Sequence, residues 1–195
     1  MISARFFSRR FLTSVALSAA MGLTVLGSMT TSAPAQDTIK IGLIVPMTGP
    51  SASTGRQQEA AAKLYIQQNG ATVAGKKIEL IVKDDTGAPD TTKRLAQELI
   101  VNDKASVLLG FGLTPLALAV APLATQAKVP QIVTAAATAM ITEQSPFILR
   151  TSFTLPQASV PMAEWGLKNG IKKVVTLVTD YGPGLDAEKW FSETV

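Results

Sequence analysis

Apolar and polar positions along the chain change period repeatedly, and each change marks an element. Residues 39–46, Ile-Lys-Ile-Gly-Leu-Ile-Val-Pro, form a β-branched run with little polar alternation, which suits a strand buried on both faces. The turn cluster Met47-Thr48-Gly49-Pro50-Ser51 ends it. Residues 54–68 place Ala60, Ala61, Leu64 and Tyr65 at helical spacing, and Asn69-Gly70 stops that helix. Ala74-Gly75-Lys76 reads as a tight turn into a strand over 77–83, closed by Asp84-Asp85-Thr86-Gly87. Asp90 then reads as the cap of a helix to about Asn102, with Leu95, Ala96, Leu99 and Ile100 as its buried stripe.

The second half repeats the alternation. A short strand over 105–110 leads to Thr114-Pro115, which opens a helix to about Ala127 with Thr114 as N-cap and Pro115 at the first helical position. Strands follow at 130–135 and 147–152, then a helix over 156–169 closed by Gly170. Residues 171–179 are a strong parallel-type strand, and a last helix begins at Leu185. Strands separated by helices of this length mean βαβ units, a mostly parallel sheet and right-handed connections: an α/β fold.

The first 35 residues follow a different logic. Arg5, Arg9 and Arg10 carry no acidic partner, residues 11–27 are uncharged and mostly apolar, and small residues lead to Ala33-Pro34-Ala35. That order is a secretory signal peptide with cleavage after Ala35. The apolar run is short for a membrane span. Ser8-Arg9-Arg10-Phe11-Leu12 is similar to a twin-arginine signal with its hydrophobic pair one place early, so general secretion is the default; without cysteine there is no lipobox. The whole chain carries 18 Lys and Arg against 14 Asp and Glu, a net charge of +4. Without the three leader arginines the balance is 15 to 14, and both signs are interspersed, so no basic footprint for nucleic acid remains.

Composition narrows the chemistry. The 195 residues include no histidine and no cysteine, which excludes histidine-based triads, Cys/His zinc sites and disulfides. Asp84, Asp85 and Asp90 lack the spacing and downstream glutamate of a calcium loop and read as a strand-end turn and a helix cap. No nucleophile elbow G-x-S-x-G occurs, and Gly110-Phe111-Gly112-Leu113-Thr114-Pro115 only begins a G-x-G-x-x-G, with proline at the third glycine. Trp165 and Trp190 fall in helices, as core or rim residues.

In an open α/β sheet, ligands bind beyond the carboxyl ends of the strands. That rule selects residues 47–55, 110–115, 134–142 and 180–184. At the second, a helix start offers unpaired N–H groups and a positive dipole end to a carboxylate, with the Thr114 hydroxyl beside them; the same threonine would serve as a plain cap. At the third, the small residues Ala135, Ala136, Ala137 and Thr138 allow close approach to the backbone, whose carbonyls suit an ammonium group; they equally suit tight packing. At the fourth, Tyr181 on a Gly/Pro loop either covers an apolar ligand or packs at a turn.

Taken in order, Ile39-Lys40-Ile41-Gly42, Thr48-Gly49-Pro50 with Gly55, Asp84-Asp85, the 110–115 loop, Ala135-Ala136-Ala137-Thr138, Leu149-Arg150-Thr151 and Tyr181-Gly182-Pro183-Gly184 resemble the branched-chain amino-acid (Leu/Ile/Val) substrate-binding proteins of ABC transporters. The resemblance implies a type I periplasmic-binding-protein-like α/β fold, a parallel sheet flanked by helices, with two lobes that close on a ligand. It implies lobe 1 over 36–152, nearly complete, and over 153–195 a crossover and the start of lobe 2, a normal member being about twice as long. By the same likeness Thr114, Ala136, Ala137 and Thr138 grip the carboxylate and ammonium of the ligand, and Tyr181 covers it from lobe 2. Thr54 stands where the family often has tyrosine, which opens that corner and widens the ligand class to amino acids, amides and aromatic carboxylates. The implied protein is a periplasmic monomer that feeds an inner-membrane ABC permease, with no cofactor, no metal and no catalysis. An extracellular sensor of the same fold and a non-functional truncated chain are the alternatives.

Overall fold

A computed structural model describes residues 37–195. The export leader read at 1–35 lies outside the described residues.

Strand β1 (Thr38–Val45) runs up the middle of a six-stranded sheet, with the residues that continue the sheet to either side arriving by helical crossovers. Helix α1 (Ala52–Asn69) leads to a two-residue strand β2 (Thr72–Val73) and then β3 (Lys76–Asp84). β2 and β3 pair antiparallel across a two-residue turn, Ala74 at φ 49° and Gly75 at φ 78°. Two successive positive φ values are what a tight hairpin of this twist requires, so glycine sits at one of them. β2 escaped the sequence reading because two residues carry no period.

Helix α2 (Pro89–Val101) leads to β4 (Val107–Gly110), and α3 (Thr114–Ala127) to β5 (Gln131–Val133) and β6 (Ile148–Arg150), with a short 3₁₀ helix, Ala139–Gln144, between the last two. The sheet order is β2-β3-β1-β4-β5-β6, and every pairing but the hairpin is parallel. Right-handed crossovers from this order put α2 and α3 on one face and α1 on the other.

Register shows which face is the core. The row Gly42, Leu108, Gln131 and Ile148 points at α2 and α3 and is buried throughout. Together with Ile44 and Val133 these side chains close on Ala96 and Leu99 of α2 and Ala117 and Val120 of α3. A methyl on Gly42 would come within 2.7 Å of Leu99 Cδ1, so glycine there lets α2 lie close. The alternate row, Leu43, Leu109, Ile132 and Leu149, faces the other way and runs from 1% exposed at Leu43 to 58% at Leu149. On that side the α1 residues Leu64 and Tyr65, spaced for burial, stand 50% and 65% exposed.

Helices α4 (Leu155–Lys168) and α5 (Gly182–Ser192) complete the described chain and pack on each other. Thr154 and Gln157 close a reciprocal capping box at the start of α4.

Four expectations need correction. Residues 171–179 form no strand: they are exposed along their length, with no neighbouring strand beside them among the described residues, and a ladder needs two partners. Asp90 is not a cap; Ala88 holds that position with Pro89 at the helix start, and Asp90 sits in the first turn, where a negative charge meets the positive dipole end. Thr114 is not a cap either, because Leu113 is the extended residue (φ −127°, ψ 149°) and Thr114 is already helical. Gly182, Pro183 and Gly184, read as a loop before Leu185, are the first turn of α5, where proline's fixed φ is favourable.

Candidate functional site

The strand ends β1, β4 and β5 bring the selected loops to one edge of the sheet. At β4 the chain turns through Gly110 at φ 124° and the buried Phe111 at φ 65°. The Phe111 N–H donates to Ile44 O at 3.1 Å, and Phe111 O accepts the Ala136 N–H at 3.1 Å, so this turn is tied to the loops on both sides. A bulky residue in the left-handed region is a strained one, and such strain collects at functional edges.

The turn delivers Thr114 to Thr138. Their hydroxyl oxygens lie 2.7 Å apart, with the residues 2% and 4% exposed. Thr114 is the first residue of α3, and Thr138 immediately precedes the 3₁₀ helix. A third helix start covers the pair: a methyl on Gly182, first residue of α5, would lie 3.3 Å from Thr114 Cγ2 and 3.6 Å from Thr138 Oγ1. Two buried hydroxyls and three neighbouring helix starts make an environment that favours negative charge, and the Asp186 carboxylate already meets one of those starts at the Ala139 N–H.

Arg150, at the end of β6, fixes the loop from behind. Its guanidinium donates to the carbonyls of Ala137 at 3.1 Å, Thr138 at 2.6 Å and Ala139 at 3.3 Å. Burial draws its pKa down, and the nearby charge of Asp186 draws it back up. Ala137 O also accepts the Leu155 N–H at 3.0 Å. The carbonyls of Ala137 and Thr138 are thus occupied, and the expectation of free acceptors throughout this run does not hold for them. The amide N–H groups of Ala137 and Thr138 donate to no partner among the described residues.

Of the six residues singled out by sequence, Thr114, Ala136, Ala137 and Thr138 come together here. Tyr181 adjoins them as the residue before Gly182, and is 40% exposed. Thr54 is exposed in the first turn of α1 and makes no hydrogen bond with the others. One turn further along α1, Gln58 accepts a hydrogen bond from the Thr134 hydroxyl at the end of β5, a link across 76 residues that no local pattern announces.

The acidic tandem has a structural role. Burial pushes the Asp84 carboxyl up, but hydrogen bonds from the Thr48 hydroxyl and the Met47, Thr86 and Thr48 backbone outweigh it and hold Asp84 below the usual range. Asp84 so fixes the turn after β1. Asp85 is fully buried, and burial raises its pKa; the Gly87 N–H opposes that shift and the Asp84 charge adds to it. No cluster of three or more acidic side chains suited to a metal occurs among the described residues. No described helix is long and apolar enough to cross a membrane.

A mostly parallel sheet with helix starts and small residues gathered at its carboxyl edge is an α/β architecture that carries ligands at that edge. Residues 38–195 match the family model described as periplasmic binding protein, and the chain belongs to that family. Among curated relatives, the Leu/Ile/Val-binding protein homolog 6 of Brucella abortus is 42% identical over 174 residues, which is 88% of this chain and 45% of the relative. Among solved structures, a solute-binding protein of an ABC transporter from Rhodopseudomonas palustris BisB5, in complex with 3,4-dihydroxybenzoic acid, is 66% identical with a TM-score of 0.80 over 82% of this chain and 44% of that one. A leucine-binding protein from Thermotoga maritima is 28% identical with a TM-score of 0.72 over 80% of this chain and 45% of that one. The chain therefore spans less than half the length of these relatives. They are solute-binding proteins, and the family is a periplasmic one.

Proposed function

We propose that this chain supplies the first lobe, over 36–152, and the beginning of the second, over 153–195, of a periplasmic protein that captures a small carboxylate and passes it to an ABC permease. The observation that carries this reading is the buried Thr114–Thr138 hydroxyl pair, placed where three helices start and covered by Gly182 from the far side of the 151–154 connection. A ligand reaches those hydroxyls only when α5 swings away, so capture is hinge closure that shifts an open–closed population. No bond is made or broken, and no cofactor or metal takes part. Residues 1–35 serve as the export leader, and the secreted protein acts as a monomer.

Within the class of amino acids, amides and aromatic carboxylates, the aromatic acids are favoured. The 66% identical relative was crystallised with 3,4-dihydroxybenzoic acid, whereas the leucine-binding protein is only 28% identical. Thr114 and Thr138 take the carboxylate, the backbone of Ala136 and Ala137 lines its edge, Tyr181 covers the ring, and exposed Thr54 leaves room at the far corner.

Titration calorimetry on the chain extended to the length of its relatives tests this, with 3,4-dihydroxybenzoate, 4-hydroxybenzoate and leucine as probes. The expected order is both benzoates well ahead of leucine. Thr114→Val, which keeps the shape and removes the hydroxyl, is expected to weaken benzoate binding about tenfold, the value of one hydrogen bond to a charged group. Leucine binding ahead of both benzoates defeats the ligand assignment, and unchanged affinity in Thr114→Val removes that residue from the site.

A further inference from the structure

We propose that Asp186 is a positioning residue, one that fastens α5 to the Thr138–Ala139 peptide and thereby fixes the backbone that presents the Thr138 hydroxyl to the ligand. The inference rests on the two-lobe reading above.

A single peptide group is gripped from both ends. Its carbonyl, Thr138 O, accepts from Arg150 Nη2 at 2.6 Å, and its N–H, on Ala139, donates to Asp186 Oδ2 at 2.8 Å. A guanidinium on β6 and a carboxylate on α5 therefore face each other through one amide. Both hydrogen bonds involve a charged partner, the stronger kind. The other Asp186 oxygen is not idle: Trp190 Nε1, one turn further along α5, donates to Oδ1 at 3.1 Å. The indole holds the carboxylate in the rotamer that reaches Ala139.

The consequence falls on Thr138. A threonine just before a helix ordinarily turns its hydroxyl onto that helix's first N–H groups. Thr138 makes no such bond; its hydroxyl goes to Thr114 instead. Asp186, 47 residues along the chain, holds by its N–H the peptide that follows Thr138 and so fixes the backbone from which that hydroxyl reaches Thr114. The amide is met only while α5 lies against the loop. Closure and correct presentation of Thr138 are therefore one event, and an open protein presents that hydroxyl differently from a closed one.

Hydrogen exchange at the Ala139 amide reads the contact directly, with the Leu43 and Leu108 amides of the sheet as folding controls. Asp186→Ala is expected to speed Ala139 exchange at least tenfold with the controls unchanged, and to weaken 3,4-dihydroxybenzoate binding several-fold. Asp186→Asn keeps an acceptor for Ala139 but sets its own N–H₂ against the Trp190 indole, so partial protection is expected, improved by adding Trp190→Phe. A role that was only structural would not be rescued by removing the indole. Unchanged Ala139 exchange in both Asp186 variants, or unchanged benzoate affinity in a protein whose Ala139 protection is lost, overturns the proposal. Loss of Ala139 protection in Asp186→Ala, together with a wild-type protein that binds none of the probes, upholds the Asp186 contact and defeats the ligand reading instead.

Discussion

Residues 39–45 and 171–179 are written in the same alphabet, β-branched and apolar with a lysine or two, and they end in opposite states. Ile44 and Val45 in β1 are fully buried, whereas Val175 and Leu177 are 94% and 99% exposed. The difference lies outside either segment. β1 is paired along its length with β3 and over its second half with β4, so its backbone groups are satisfied and its side chains have neighbours on both faces. Residues 171–179 have α4 and α5 near them but no strand alongside. A run of valines and isoleucines specifies what a segment does once partners arrive, and it does not bring the partners. The same contrast separates the regions as wholes: the 37–152 region closes on a single core, while 153–195 buries Ala163 and Ser159 and leaves Met162 and Trp165 largely in solvent.

Breaking the well-built region takes one methyl. Gly110→Ala puts a Cβ 2.1 Å from Ile44 O at φ 124°, where neither the backbone nor a side chain can yield. The expected loss is more than about 4 kcal/mol, enough to abolish a cooperative thermal transition followed by circular dichroism. Next in size is a matched pair. Leu108→Ala, from a fully buried site, should cost about 3 kcal/mol in urea unfolding, and Leu177→Ala, from a fully exposed one, less than about 0.5 kcal/mol. Equal effects would mean that 171–179 is packed in solution, and the comparison between the two runs would fall. Smaller than the loss at Leu108, and opposite in sign, is the effect of Gly166→Ala in α4. A methyl there meets only Ile171 Cδ1 at 4.0 Å, and helix propensity should raise stability by up to about 1 kcal/mol. A loss instead would show that α4 is more tightly fitted than its exposed stripe suggests.

The alternation of strand and helix could be read from sequence because burial of one stripe or one run leaves a period behind. Leu95, Ala96 and Leu99 are buried as their period predicts, and β1 forms where its apolar run lies. Leu64 and Tyr65 have the same period and remain exposed, since a period records the need for a neighbour and not its presence. Within the site, the family resemblance brought Thr114, Ala136, Ala137 and Thr138 into one list, but their bonding was hidden. The hydroxyl contact between Thr114 and Thr138 spans 24 residues, and the Asp186 contact spans 47; neither leaves a local pattern. Capping rules misjudge Thr114 because the extended backbone at Leu113 already takes the cap position one residue earlier.

Arg150 shows what one side chain behind a loop can contribute to its order. Three carbonyls of one short loop rest on a single planar guanidinium, whose donors are fixed relative to each other. A loop of alanines would otherwise wander, and a ligand would have to order it on arrival. Here that loss of conformational entropy is met when the sheet folds, so under the proposed function binding energy is not diverted to it. Lysine at the same place could satisfy the charge but could not hold three acceptors in one plane, and the loop would regain its freedom.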